Sequence, residues 1–152
     1  MIEPQRDIVS WSDLDDLVVA LAGKVGADYD VMLVISRGGL VPAGMLAYRL
    51  GIRDVLVTSV VAYDDAGSMG VPQVLTFPED DALRGRRVLI MDEVWDTGLT
   101  ISAVTERVRA AGGEPTIAVL HYKPTRSRVS GTPDHFAHET AAWVVYPYKA
   151  GH

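Results

Sequence analysis

Four apolar runs constrain the fold of this chain more than any other feature of its sequence. They are VMLVIS at 31–36 and the segments 55–61, 87–91 and 116–121. Each run is too short for a helical repeat, is rich in branched side chains and is apolar at nearly every position. Such a run predicts a strand buried on both faces, as in a parallel sheet covered by helices.

A helical pattern precedes the first apolar run. Its apolar residues recur at spacings of three and four and share one face: Leu14, Leu17, Val18 and Leu21. The helix should begin near Ser10 or Ser12, since serine is a favoured N-cap. It should end near Gly23 or Gly26, because glycine commonly follows the last helical turn.

Further helical patterns alternate with the apolar runs. Helices are predicted at 41–50 and 101–111, and a last short strand is predicted within 141–148. Strands that are apolar throughout and alternate with helices predict an α/β fold. We therefore expect a mostly parallel twisted sheet with helices on both faces, built as a single domain over 1–152.

Composition excludes several classes of protein. The chain has no cysteine, which excludes disulfide frameworks, cysteine-based metal sites and thiolate nucleophiles. Its net charge of −6 does not favour nucleic acid or an anionic membrane as a partner. No apolar run reaches the roughly 18 residues of a membrane span. The N-terminal MIEPQRDIVS lacks the pattern of a signal peptide, so we expect a cytoplasmic protein.

The segment VLIMDEVWDTGLT at 88–100 carries the strongest chemical signal. An apolar strand delivers Asp92 and Glu93 at its carboxyl end, where ligands of parallel sheets bind. An Asp-Thr-Gly sequence then leads into a helix, whose first N–H groups form a phosphate site. The acids would repel phosphate unless they hold sugar hydroxyls or a divalent metal ion. The alternative is a solvated turn followed by an ordinary helix cap.

The same segment resembles the signature of the type I phosphoribosyltransferases: an apolar strand, two acids, Asp-Thr-Gly and a threonine. The resemblance implies displacement of pyrophosphate from phosphoribosyl pyrophosphate with Mg²⁺, and that family's fold with a small C-terminal hood. It implies that Asp92 and Glu93 face the ribose hydroxyls and bind Mg²⁺ directly or through water. Together with Asp96 they would be the catalytic residues. The 5′-phosphate would lie on Asp96, Thr97, Gly98, Leu99 and Thr100.

A second strand end is followed by SRGGLVPA at 36–43. Arginine donates two hydrogen bonds to a phosphate, and glycines expose backbone N–H groups to an anion. The alternative is a glycine turn with a surface arginine. The block resembles the pyrophosphate loop of the xanthine–guanine phosphoribosyltransferases, as do the segments 50–55 and 62–64. The resemblance assigns pyrophosphate binding to Ser36, Arg37, Gly38 and Gly39.

Lys123 directly follows another predicted strand, in HYKPTRSR at 121–128. An ammonium group donates hydrogen bonds and accepts none, so it can bond a 6-oxo group and cannot accept from an amine. This favours hypoxanthine, guanine or xanthine over adenine. The family resemblance supports this assignment through Lys123-Pro124. It also implies that Trp143 stacks on the purine and that the backbone of Val144 reads the edge of the base. An exposed lysine and a core tryptophan are the alternatives.

The resemblance also predicts two accessory parts. Segment 64–81 would be a flexible lid and segment 123–148 the base-binding hood. The lid has no lysine or arginine, although many lids in the family carry one for the pyrophosphate. Another cation must then bind the pyrophosphate in place of a basic lid residue. The candidates are the cluster Arg84, Arg86 and Arg87, the pair Arg126 and Arg128, or a neighbouring subunit.

The sequence therefore predicts a purine salvage enzyme that converts a 6-oxopurine and phosphoribosyl pyrophosphate into a GMP-, IMP- or XMP-type nucleotide. Family relatives imply a homodimer or homotetramer. Three other interpretations stay open. One is a weakly catalytic or non-catalytic regulator on the same fold that senses phosphoribosyl pyrophosphate or nucleotides. Another is an enzyme acting on pyrimidines. The third, much weaker, is a metal site in DHFAHE at 134–139, which otherwise predicts a polar loop.

Overall fold

The computed structural model describes residues 5–62 and 71–149. Its helices are α1 (Trp11–Val25), α2 (Leu40–Leu50) and α3 (Leu99–Ala110). Its strands are β1 (Arg6–Ile8), β2 (Val31–Ser36), β3 (Val55–Ala62), β4 (Pro72–Thr76), β5 (Arg87–Trp95), β6 (Glu114–Tyr122), β7 (His135–Glu139) and β8 (Trp143–Val145). Two short 3-10 turns lie at Asp80–Ala82 and Pro124–Arg126.

Six strands form the central sheet, in the spatial order β4-β3-β2-β5-β6-β7. Strands β3, β2, β5, β6 and β7 run parallel to one another. Strand β4, at the edge of the sheet, pairs antiparallel with β3. Buried side chains of α1 and α2 pack on one face of the sheet, and those of α3 pack on the other. The predicted α/β class with a mostly parallel sheet is confirmed.

Strand β2 shows why the apolar runs are uniform. Met32 and Val34 point into the cluster that α1 and α2 cover, whereas Leu33 and Ile35 point into the cluster that α3 covers. All four side chains are at most 3% exposed. Because successive side chains of a strand point to opposite faces, a strand covered on both faces has no position for a polar residue.

Helix α1 begins and ends within the limits set by its sequence. Ser10 is the N-cap: its hydroxyl accepts from the Asp13 N–H at 3.0 Å, and Asp13 Oδ2 accepts from the Ser10 N–H at 2.9 Å. This reciprocal pair satisfies two N–H groups that have no partner inside the helix. The helix ends at Gly26, whose φ of 73° is easily adopted without a side chain.

Strands β5 and β6 extend beyond their predicted bounds. Strand β5 continues to Trp95, so Asp92 and Glu93 lie within the strand and not after it. Strand β6 pairs with β5 along this whole length, and the last pair of residues is Trp95 with Tyr122. The prediction that the carboxylates follow the strand is therefore wrong by a few residues, although they remain near its carboxyl end.

Two segments predicted without regular structure contain strands. Within 64–81, residues 64–70 lie outside the described part of the chain, and Pro72–Thr76 forms β4 at the edge of the sheet. Within 134–139, His135–Glu139 forms β7, which pairs with β6. Both are edge strands and only partly buried, so their sequences lack the continuous apolar run that marks the central strands.

Strands β1 and β8 form a separate two-stranded parallel sheet. The Trp143 N–H donates to the Gln5 carbonyl at 2.7 Å, and the Val9 N–H donates to the Val145 carbonyl at 2.9 Å. The end of the described chain is thus attached to its beginning. Across residues 5–62 and 71–149, none of the helices has the length and apolar character needed to cross a membrane.

Candidate active site

The predicted site residues follow adjacent strands. Strands β2, β5 and β6 are neighbours in the sheet and parallel, so the segments after them meet at one edge. These segments are 37–39, 96–100 and 123–129. Beside the first of them lies a cleft of about 550 Å³. Its polar lining comes from Ser36, Arg37, Asp92, Glu93, Thr100, Tyr148 and Lys149.

Asp92 and Glu93 form a buried acidic pair on the floor of this cleft. Each is 9% exposed, and the Glu93 N–H donates to Asp92 Oδ1 at 2.8 Å. Burial raises the pKa of the Asp92 carboxyl well above its usual range, and the neighbouring Glu93 charge raises it further. Glu93 Oε1 lies 3.3 Å from Lys149 Nζ, while the buried Glu93 Oε2 has no hydrogen-bond partner among the described residues. The pair therefore contains one buried acceptor, packed against Gly38, that no described residue satisfies.

The glycines after β2 allow the backbone to lie directly against the acidic pair. A Cβ atom on Gly38 would stand 1.7 Å from Glu93 Oε2. A Cβ atom on Gly39 would stand 2.8 Å from the Ile35 carbonyl oxygen and 3.0 Å from that of Met91. Only glycine fits at Gly39 without moving backbone atoms. The Ser36–Arg37 peptide bond in this segment is cis.

The Asp-Thr-Gly segment leads into α3 as predicted. Gly98 has a φ of 83°, and the helix starts at the next residue, Leu99. The Leu99 N–H lies 3.4 Å from Thr97 Oγ1, and the Thr100 side chain lines the cleft. The first turn of α3 therefore points its N–H groups toward the carboxyl edge of the sheet, where an anion is favoured.

Lys123 is buried next to the Asp-Thr-Gly segment. It is 4% exposed, and its Nζ lies 3.9 Å from Asp96 Oδ2 and 5.6 Å from the centre of the Trp143 ring. Arg126 Nε donates to the other oxygen of Asp96. A buried ammonium needs an opposite charge, and Asp96 provides one. The structure thus brings together three residues that are far apart in sequence: Asp96, Lys123 and Trp143.

Trp143 and Val144 lie on strand β8. The Trp143 side chain is 58% exposed, so it is not a core tryptophan and one face of its ring is open to a ligand. Val144 is partly buried and pairs with Asp7 of β1. The core alternative for Trp143 is wrong, as is the alternative of an exposed Lys123.

Three tail residues in the site were missed by sequence reasoning: Tyr146, Tyr148 and Lys149. Tyr148 OH donates to the Gly38 carbonyl at 2.9 Å, and Tyr146 OH donates to the Glu93 carbonyl at 3.1 Å. Burial raises the pKa of both tyrosines, so they stay neutral donors. The only local signal is the run YPYK itself, which puts two hydroxyls and an ammonium within four residues.

The arginine cluster after the predicted lid lies away from this site. Arg84 pairs with Asp81, Arg86 donates to Asp54 at 2.6 Å, and Arg87 donates to Asp30 at 3.0 Å. These contacts are at the amino ends of β2 and β5, at the opposite edge of the sheet. The proposal that this cluster replaces a basic lid residue is therefore wrong, because its charges are neutralised at the far edge.

The histidines of 134–139 do not form the metal site considered as an alternative. His135 and His138 are three apart on β7 and so point to opposite faces. The His138 ring lies 5.8 Å from that of His121. No group of three or more histidine, aspartate or glutamate residues arranged for a metal ion occurs within residues 5–62 and 71–149.

Comparison with known proteins gives consistent matches over almost the whole chain. A xanthine-guanine phosphoribosyltransferase of Chromohalobacter salexigens is 30% identical, and the match covers 97% of this chain and 86% of that protein. The solved structure of a purine phosphoribosyltransferase from Pyrococcus horikoshii is 33% identical, with a TM-score of 0.80 over 95% of this chain and 93% of that one. A hypothetical protein from Neisseria gonorrhoeae, solved with bound ppGpp, is 27% identical, with a TM-score of 0.84 over 99% of this chain and 93% of that one.

The family model for the phosphoribosyl transferase domain matches residues 10–148. This range includes all three strand ends that meet at this edge of the sheet, together with Trp143 and Val144. It also includes β7, which the sequence alone did not predict as a strand. On the sequence match and the shared fold, this chain belongs to the phosphoribosyltransferase family.

Proposed function

We propose that this protein transfers the phosphoribosyl group of phosphoribosyl pyrophosphate to a 6-oxopurine, which gives a GMP-, IMP- or XMP-type nucleotide and pyrophosphate. The observation that carries the proposal is the buried Lys123, whose ammonium lies beside Asp96 and the open Trp143 ring. The names of the xanthine-guanine and purine relatives support the same class of base. The regulatory alternative is not favoured, because these relatives are named as transferases.

We assign each part of phosphoribosyl pyrophosphate to a different segment of the site. We assign the 5′-phosphate to the start of α3, at 96–100, where free N–H groups favour an anion. The pyrophosphate would lie against 36–39, where Arg37 is exposed and the backbone of Gly38 is half-buried. Gly39 is buried and its N–H donates to the Ile35 carbonyl at 3.1 Å, so it would shape this segment and not bind the anion directly. The ribose hydroxyls would donate to Asp92 and Glu93, and the place of both carboxylates in the cleft lining supports this assignment.

We propose Mg²⁺ as the cofactor and Asp92 and Glu93 as the residues that would hold it, directly or through water. The residues fit this ion: both supply carboxylate oxygens, the ligands that Mg²⁺ prefers, and one buried oxygen has no protein partner. When bound, Mg²⁺ offsets the negative charge that develops on the leaving pyrophosphate.

The base would lie between Lys123 and Trp143. The ammonium donates to the 6-oxo group, the indole stacks on the flat ring, and the backbone of Val144 reads the base edge. Stacking on an aromatic side chain contributes about 1–3 kcal/mol by analogy with single-stranded nucleic acids. Adenine presents an amine donor at the 6 position, so Lys123 would be left buried without an acceptor from the base.

Catalysis would depend on positioning and charge. Loss of pyrophosphate builds positive charge on the ribose ring, which the carboxylates of Asp92 and Glu93 stabilise. Asp96 would accept the proton released by the purine, and Arg126 holds its carboxylate in place. A lid role is proposed only for the part of 64–81 that precedes β4, because Pro72–Thr76 is paired with β3 in the sheet. Strands β1 and β8 would form part of the base-binding hood.

We propose that the protein forms a homodimer or homotetramer through the α2–β3 apolar surface. We define this surface by five exposed apolar side chains: Leu40, Val41, Tyr48, Val55 and Val57. Tyr48 alone is 93% exposed, and an apolar groove of about 560 Å³ adjoins it. A contiguous exposed apolar surface marks an interface more often than it remains in water. A cytoplasmic location remains a prediction from sequence.

The test is nucleotide formation by the purified protein with Mg²⁺ and phosphoribosyl pyrophosphate. Hypoxanthine, guanine, xanthine, adenine, uracil and orotate are offered one at a time, and reactions with EDTA serve as the metal-free control. We expect turnover of at least one 6-oxopurine and none of the pyrimidines. Turnover of uracil or orotate alone would favour the pyrimidine alternative. Tight binding of phosphoribosyl pyrophosphate without turnover of any base would favour the regulator.

A further inference from the structure

We propose that Lys149 is a further substrate-binding residue, which supplies the cation for the pyrophosphate that segment 64–81 lacks. The inference rests on the proposed function, because it concerns the same cleft. Segment 64–81 contains no lysine or arginine. The arginines that follow it are paired with carboxylates at the far edge of the sheet. The cation must therefore come from another part of the chain or from a second copy.

Lys149 is held in the cleft by the tail that precedes it. The chain turns after β8, where the Lys149 N–H donates to the Tyr146 carbonyl at 3.2 Å. Tyr148 OH donates to the Gly38 carbonyl at 2.9 Å, which fixes the tail against the predicted pyrophosphate segment. Lys149 thus lines the same cleft as Ser36 and Arg37.

The ammonium of Lys149 has donors available for a ligand. Its Nζ lies 3.3 Å from Glu93 Oε1 and 5.5 Å from the centre of the Tyr146 ring. The side chain is 43% exposed, so it is open to the cleft although it pairs with a carboxylate. An ammonium carries three donors, and a single carboxylate contact leaves the others for phosphate oxygens.

The charges in the cleft also favour a second cation beside Arg37. Arg37 and Lys149 face the two acids Asp92 and Glu93. Arg126 already pairs with Asp96 at the base side of the site. A pyrophosphate group that enters next to Glu93 would be repelled by that carboxylate unless a neighbouring cation offsets it. Lys149 contacts this carboxylate and also lines the cleft, so it can contact a ligand there as well.

The experiment measures two dissociation constants by calorimetry, for inorganic pyrophosphate with Mg²⁺ and for ribose 5-phosphate. Lys149→Met keeps the apolar stem and removes the charge, whereas Lys149→Arg keeps the charge. Lys24→Met is the matched control, because Lys24 lies on α1 and donates to the Phe136 carbonyl, not to a cleft residue. Ribose 5-phosphate lacks the pyrophosphate group, so its dissociation constant reports on the rest of the site.

We expect Lys149→Met to weaken pyrophosphate binding about tenfold or more, the loss typical of a hydrogen bond to a charged group. Ribose 5-phosphate binding should stay within about twofold, and Lys149→Arg should recover most of the pyrophosphate affinity. Unchanged pyrophosphate binding in Lys149→Met would overturn the inference. Equal weakening of both ligands would also overturn it, because Lys149 would then act only by supporting Glu93.

The same data separate this inference from the proposed function. If the wild-type protein binds neither ligand, the proposed function and the inference both fail. If it binds both, and Lys149→Met binds both equally well, the assignment of Lys149 fails and the proposed function stands.

Discussion

Lys123 is the residue through which this site would choose its base. It is buried at 4% exposure, and it has Asp96 on one side and the Trp143 ring on the other. A site built around a buried hydrogen-bond donor rejects ligands without the matching acceptor far more strongly than an apolar pocket does. Selectivity for 6-oxopurines should therefore depend on this one side chain.

Lys123→Met is expected to lower kcat/KM for guanine at least about 100-fold, since it removes a charged donor from a buried site. The dissociation constant for ribose 5-phosphate should change less than about threefold, because that ligand does not reach the base pocket. Steady-state kinetics and calorimetry measure the two quantities. A variant that loses guanine and ribose 5-phosphate binding together would show that Lys123 supports the whole site and does not select the base.

His121 should make stability depend on pH. Burial lowers its pKa to about 4, and its Nδ1 lies 2.7 Å from Tyr146 OH. In the unfolded chain the pKa of a histidine is about 6.5. As the pH falls, His121 is therefore protonated in the unfolded state before it is protonated in the folded state. Stability due to neutral His121 is thus complete above about pH 6.5 and is lost as the pH falls from there to about 4.

Urea unfolding measured between pH 7 and pH 4.5 tests this expectation. The free energy of unfolding should fall by about 2–3 kcal/mol from this histidine, and the fall should be smaller in His121→Gln. His135→Gln is the control, because His135 is partly exposed and carries no such burial. Parallel pH profiles for the wild type and His121→Gln would contradict the role of His121.

At the scale of elements, the junction between β5 and α3 depends on Gly98. Its φ of 83° is unfavourable for other residues, and a Cβ atom there would stand 2.6 Å from both Trp95 Nε1 and Val129 Cγ2. Trp95 Nε1 donates to Ser127 Oγ at 3.1 Å, and the Arg128 N–H donates to the Thr97 carbonyl at 2.8 Å. The phosphate segment and the segment that carries Lys123 therefore support each other.

Gly98→Ala should raise the KM for phosphoribosyl pyrophosphate at least about tenfold and destabilise the fold by roughly 1–3 kcal/mol. Gly131→Ala is the matched control: a Cβ atom there would meet Trp95 Cη2 at an ordinary 3.8 Å. Steady-state kinetics and thermal unfolding provide the measurements. Equal KM values in the two variants would show that the position of Gly98 is not critical.

The sequence predicts the central elements well because burial on both faces leaves a clear pattern. Strands β2, β5 and β6 follow from such runs, and the bounds of α1 follow from its cap at Ser10. Strand β3 is predicted from its branched apolar residues, but the expectation that it is buried on both faces is wrong, since Val55 and Val57 are exposed. Strands β4 and β7 could not be predicted in the same way. They lie at the edges of the sheet, where alternating or mixed sequences are also typical of loops.

The same reasoning explains which parts of the site were missed. Asp92, Glu93 and Lys123 lie at strand ends, so local sequence indicates both their type and their place. Tyr146, Tyr148 and Lys149 contact residues of the cleft only because the tail returns across the carboxyl edge of the sheet. That path is set by tertiary contacts, including the pairing of β8 with β1, and short-range spacing carries no trace of it.

At the scale of the whole molecule, the α2–β3 apolar surface should set the oligomeric state. Leu40 and Val41 belong both to this surface and to the lining of the cleft, so a partner bound there would border the site. Tyr48→Glu should lower the mass in solution measured by light scattering, because a buried charge opposes association. Val19→Glu, on an exposed apolar position of α1, is the control. A wild-type monomer, or an unchanged mass in Tyr48→Glu, would contradict this assembly.

The central claim is that one edge of the sheet holds a 6-oxopurine on Lys123 and a sugar phosphate on the start of α3. A crystal structure with GMP tests it most directly. We expect the guanine O6 within about 3.2 Å of Lys123 Nζ, the base stacked on Trp143 and the phosphate on 96–100. A guanine that lies elsewhere, or a Lys123 that stays with Asp96 and makes no contact with the base, would contradict it.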